Sequence, residues 1–157
     1  MATKTESADL ILKLYDLRRE KKMRKAREWF FGFNPTSVDE YWQTMMDPKV
    51  GAYARMVISY WDMAATMVVQ GAIDAELFNQ TAGEHIMVFA KVEPILAGLR
   101  ERFQNPEALK NLEKVIMDMP DGAERVKKAQ EFMAMIRDQM AAAAGKDGKE
   151  KSEEAAA

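Results

Sequence analysis

Apolar residues recur at helical spacing along almost the whole chain, which predicts a series of helices joined by short connections. The stretch Asp47–Phe78 is the clearest. Val50, Tyr53, Val57, Tyr60, Trp61, Ala64, Met67 and Val68 predict a helix from Pro48 to Gln70. Asp47 caps it, and Pro48 takes the first helical position, where a missing N–H costs nothing. Gly71 is the expected left-handed stop, with Ile73 placed to contact the last turn. Asp74 then caps a short helix to about Ala82, with Leu77 and Phe78 facing inward. The Pro48 helix is apolar on more than one side, so it is predicted to be the central helix.

On the N-terminal side, residues 1–6 are expected to be disordered and Ser7 to cap a first helix with Leu10, Leu14 and Leu17 on one face. That stripe fails at Arg18-Arg19-Glu20-Lys21-Lys22 and resumes out of phase at Met23, Ala26 and Phe30. Such a slip predicts two helices, or one bent helix, meeting near Glu20. Gly32 with Asn34-Pro35 ends the segment, and Ser37 with Glu40 forms a capping box for a short helix to about Met46.

On the C-terminal side, Gly83 precedes a helix from Glu84 to Phe103 that contains Pro94. That proline removes one backbone bond and crowds the carbonyl of Ala90, which predicts a kink. Asn105-Pro106 opens a further helix to Met119, and Pro120 stops it. A last helix begins at Asp121-Gly122, with Val126, Ala129, Phe132, Met133, Ile136 and Met140 along one side. From Gly145 the charged, alanine-rich sequence has nothing to bury. The expected architecture is all-α: a compact bundle of six to seven helices over residues 7–144, with a disordered tail at 145–157.

Composition narrows the chemistry. The chain has 157 residues, which suits one domain, and no cysteine, which removes disulfides and thiolate chemistry. Its longest near-apolar run, Met63–Val69, is far below the ~20 residues needed to span a bilayer. The start of the chain does not resemble a secretory signal. With a net charge of -2, nucleic acid is not an expected partner. A cytoplasmic protein without cofactor, metal site or integral membrane segment is expected.

The candidate residues each carry a structural and a functional reading. His85, the only histidine, lies just after Gly83 at a helix start, where a structural or surface role is ordinary and general-base work is the alternative. The 13 methionines suit an adaptable core or an apolar binding surface. Met117/Met119 and Met133/Met135 have the look of copper(I) pairs, but residues two apart lie on nearly opposite sides of a helix. Residues 13–28 carry a local balance of +5 in a protein of net -2. Arg18, Arg19, Lys21, Lys22 and Arg24 there make a solvated or salt-bridged face or a contact to a protein partner, with an anionic membrane surface or nucleic acid as the remaining reading. In Trp29-Phe30-Phe31-Gly32-Phe33, consecutive rings point about 100° apart. Either the segment is enclosed on several sides or one ring is left for a partner.

Several short segments carry a resemblance. They are Leu14-Tyr15-Asp16-Leu17-Arg18-Arg19, Met23-Arg24-Lys25-Ala26-Arg27, Trp61–Gly71 leading into Ile73-Asp74, and Glu93-Pro94-Ile95 followed by Arg100. Together they resemble a bacterial helical family, domain of unknown function 4760, over roughly residues 9–105. The resemblance implies a compact α-helical protein with no catalytic residues to carry over.

Three functional expectations follow. The first is a non-catalytic interaction or scaffold module that binds a protein partner or itself, through Trp29, Phe30, Phe31, Phe33 and the basic residues Arg18, Arg19, Lys21, Lys22 and Arg24. The second is a helical bundle that holds an apolar small molecule among Met56, Met63, Met67, Met87 and Phe89. The third is an enzyme using Asp62, Glu84 and Glu93 with His85, and it requires at least two of these in one cleft.

Overall fold

The computed structural model describes the backbone of residues 1–154 and the side chains of residues 1–145. Eight helices and no strand occur among the described residues. They are α1 (Lys4–Arg19), α2 (Lys21–Phe31), α3 (Val38–Met46), α4 (Gly51–Val69), α5 (Ala75–Thr81), α6 (Glu84–Arg102), α7 (Lys110–Met117) and α8 (Gly122–Glu154). The class is the all-α one expected, with one or two helices more than the pattern predicts. No helix among the described residues is long and apolar enough to cross a membrane.

Helix α1 begins at Lys4, not after Ser7. Thr3 and Glu6 close a reciprocal capping box, in which the Thr3 hydroxyl accepts from the Glu6 amide and the Glu6 carboxylate accepts from the Thr3 amide. Ser7 is buried, and its Oγ accepts from the Asp74 amide at 2.9 Å, tying α1 to the start of α5. The inner stripe of α1 runs through Ser7 and Leu14, while Leu17 is exposed. Arg18 takes the inward position instead, because its guanidinium lies over the ring of Trp61.

The phase slip resolves as a break at Glu20. Its extended backbone ends α1, and its carboxylate accepts from the amides of Lys22 and Met23 at the start of α2. The new helix is re-phased so that Met23, Ala26 and Phe30 face the core. Ser37 caps α3, but Glu40 does not complete the box, because its carboxylate turns to the amide and hydroxyl of Thr36.

Helix α4 is central and packs against α2, α3, α5, α6 and α7. It starts at Gly51, three residues later than predicted, because the Asp47 carboxylate closes a turn onto the amides of Lys49 and Val50. Ala54, Val57, Ile58, Tyr60, Trp61, Ala64, Ala65 and Val68 are buried. The Tyr60 hydroxyl donates to the Leu14 carbonyl at 2.6 Å. The helix ends as expected: Gly71 sits at φ +74, the carbonyls of Met67 and Val68 accept from Ala72 and Gly71, and Ile73 is buried.

Helix α7 begins at Lys110, not at Pro106. Leu109 adopts the left-handed conformation at φ +55, which breaks the helical path and places its side chain in the core. The first half of α8 packs on α6 and α7 through Val126 and Ala129. Its backbone remains helical past Gly145 to Glu154. The expected tail therefore starts within a helix, and residues 155–157 of that tail lie outside the described residues.

Candidate functional site

The aromatic run splits as its helical geometry requires. Trp29 stacks on Phe33 with ring centres 5.3 Å apart, and Phe30 meets Phe33 edge-on at 5.5 Å. Phe30 and Phe33 are buried and Trp29 is half-buried, so three of the four rings are enclosed. Phe31 points the other way and is 55% exposed. It is the ring left over.

Phe31 stands at the edge of an open groove of about 760 Å³ between α2, the first turns of α6 and the middle of α8. Its apolar lining includes Phe31, Met87, Phe132, Met133, Ile136 and Met140. The stripe predicted for α8 is continuous, but only its first part is core. Beyond Ala129 the helix overhangs α2 and α6, leaving Phe132 46% and Met140 63% exposed. Phe132 to Met140 spans roughly 12 Å of helix axis, or a little over two turns.

Lys91 forms part of the groove lining yet is buried. Its ammonium donates to the carbonyls of Phe31 and Phe33, both at 2.8 Å, and to Asn34 Oδ1 at 3.0 Å. It thereby satisfies carbonyls left open at the end of α2. Burial pushes the amine down to about 8. The composition does not single this residue out. One available signal is its position as the only charge within Ile86–Val92, an otherwise apolar run of α6.

Two of the basic residues turn inward to one carboxylate. The Arg27 Nε donates to both Glu84 oxygens at 2.9 Å, and Arg18 lies 3.8 Å from the same carboxylate. The Trp61 indole donates to Glu84 Oε1 at 3.2 Å. Glu84 thus joins α1, α2, α4 and α6, and holds Arg27 above its ordinary value. Arg19, Lys21, Lys22 and Arg24 are exposed, and of these only Arg24 lines the groove.

The other acids and His85 do not converge. Asp62 faces α7, where its carboxylate accepts from the Leu112 amide at 3.4 Å. Because Leu109 offers no side-chain cap, Asp62 serves that helix end from another helix. Burial raises the Asp62 carboxyl, and the Leu112 amide opposes the shift. Glu93 is on the surface beside Gln130. His85 is fully buried, so of the structural and surface roles expected for it the structure shows the structural one. Its ring packs against Phe78 and Trp61 at 5.1 and 5.7 Å, since the second residue of α6 faces the central helix. Nε2 lies within hydrogen-bond distance of Asn79 Oδ1, at 3.2 Å, and Nδ1 has no partner among the described residues. Burial, then the Arg125 charge, pushes His85 down to about 4.

The five residues of the expected small-molecule pocket are also dispersed. Met87 lines the groove, whereas Met56, Met63, Met67 and Phe89 line neither it nor a second hollow of about 530 Å³ between α4, α5 and the α7–α8 turn. Phe89 is wholly buried and Met63 is 40% exposed, because they occupy opposite environments on their helices. Among the described residues, no group of three His, Asp or Glu could hold a metal ion.

Neither the curated proteins nor the solved structures contain a significant match to this chain. The sequence profile of the family described as Domain of unknown function (DUF4760) matches residues 4–119, a wider span than the short segments that carry the resemblance. The match covers α1 to α7 and stops just short of α8. The chain belongs to the DUF4760 family.

Proposed function

We propose that this protein is a non-catalytic interaction module, and that the groove between α2, α6 and α8 receives an amphipathic helix from a protein partner. The observation that carries the proposal is the exposed apolar lining: Phe31 on one wall faces the Phe132–Met140 stripe on the other across an open groove. Exposed aromatic and methionine side chains around a groove are the usual receptors for such a helix. The non-catalytic part of the proposal draws support from Asp62, Glu84, Glu93 and His85, each of which is engaged in holding helices together.

A labelled amphipathic helix, titrated into isotope-labelled protein, tests this proposal. The methyl signals of Met87, Met133, Ile136 and Met140 are expected to shift, and Phe31→Ala to weaken binding by roughly tenfold, as loss of an aromatic anchor does. Shifts confined to other surfaces, or none, remove the proposal. Light scattering over a range of concentrations identifies a second copy as the partner if mass rises in step.

An apolar small molecule in the same groove is the second reading, since about 760 Å³ lies within the usual range of ligand sites. The open side favours the helix, because a small ligand there would keep much of its surface in water.

A further inference from the structure

We propose that the helix entering the groove is acidic, with carboxylates flanking a short apolar stripe. This rests on the groove being a helix-binding site and adds the charge and length of its occupant.

The charge of the groove is opposite to that of the molecule. Its lining holds Arg24, Arg27, Lys91 and Arg137 against Glu28 and Glu84, in a protein of net charge -2. Arg27 and Glu84 pair with each other and cancel, so the balance that remains is Arg24, Lys91 and Arg137 against Glu28. The Lys91 ammonium is held by carbonyl and amide oxygens, and no carboxylate lies within ion-pair distance of it among the described residues. Arg24 makes no ion pair among the described residues, and Arg137 reaches only its neighbour Asp138, at 3.8 Å. An apolar wall beside these cations keeps their field from being screened as it is over open water.

Length follows from the walls. Arg24 to Phe31 on α2 covers roughly 10 Å, and Phe132 to Met140 on α8 roughly 12 Å. Two to three turns of helix fit, with apolar anchors at i, i+3 or i+4, and i+7. Carboxylates on its two flanks then meet Arg24 on the α2 wall and Arg137 on the α8 wall.

The test uses the full chain and two fluorescently labelled designed helices with one identical leucine stripe. One carries glutamate on its flanks and the other lysine. Anisotropy titrations at low and at physiological salt are expected to show the glutamate helix binding roughly tenfold tighter, with the preference shrinking as salt rises. Arg24→Glu with Arg137→Glu, both surface changes, is expected to reverse the order. Phe31→Ala is expected to weaken both helices alike. Equal binding, or preference for the lysine helix, with Phe31→Ala still damaging, overturns the acidic occupant and leaves the groove standing. Binding indifferent to Phe31→Ala, or no binding by either helix, overturns both.

Discussion

Gln130 of α8 donates its amide to the carbonyl of Ala90, at 3.1 Å, in the middle of α6. That is the carbonyl whose helical partner is missing, since residue 94 is proline. The same amide nitrogen reaches Glu93 Oε2 at 3.0 Å. The defect that Pro94 introduces in one helix is thus repaired by a side chain from another. It also fixes α8 just before that helix leaves the body to overhang the groove.

Gln130→Ala is expected to destabilise the fold by about 1 kcal/mol, the net value of a partly buried hydrogen bond. In a Pro94→Ala background the cost is expected to fall by about half, because the substituted alanine then supplies the missing amide hydrogen. Denaturant unfolding of the four proteins in the cycle checks this. Strictly additive costs would show that the two residues are not coupled.

Glu84→Gln is expected to cost about 1–2 kcal/mol, since two arginines and an indole lose a shared, half-buried carboxylate. Trp61 fluorescence reports the change directly. Combining it with Arg27→Met is expected to cost less than the sum, because the stranded guanidinium is removed with its partner.

His85 makes stability depend on pH. Its folded value of about 4 lies below the unfolded value near 6.5, so the unfolded chain binds the proton more readily between them. The contribution of neutral His85 is therefore complete above about pH 6.5 and declines as pH falls towards 4, by up to ~3 kcal/mol. Unfolding free energies at pH 7 and pH 4.5 are expected to differ much less in His85→Gln. An unchanged pH slope in that variant would place the titration elsewhere.

Asp62→Ala is expected to cost about 1 kcal/mol, like the loss of a helix cap, and to raise hydrogen exchange at Leu112 and Asn111. Asp62→Asn keeps the accepting oxygen and is expected to lose less than half of that. Protection unchanged by Asp62→Ala would mean that the cap from α4 does nothing for α7.

A chain ending after Gln130 is expected to keep cooperative unfolding, because Val126, Ala129 and the Ala90 contact all remain. It is expected to lose the groove's α8 wall and with it the binding of a labelled helix. Retained binding would move the site away from α8.

What the sequence determined by itself was local. Helix class, the break at Glu20, the stop at Gly71 and the cap at Asp74 depend on residues within a turn of one another, so spacing and capping chemistry reveal them. The centrality of α4 was legible for a similar reason, since apolar residues on several sides of one helix leave no face for water. Where prediction and structure part, a side chain had a choice of partners that are close in sequence. Asp47 closes a turn before it caps a helix, and Glu40 prefers Thr36 to Ser37. Which polar groups go inside is set by packing between helices. His85, Lys91, Glu84 and Asp62 each find partners on other helices, and no spacing in the chain encodes those meetings. That packing also decides which apolar residues stay out. Phe132 belongs to a stripe that looks like core, and Phe31 to an aromatic run that is otherwise enclosed, yet both stay exposed beside an open groove. Burial at such positions depends on where a neighbouring helix ends, and that is set by packing across the whole molecule.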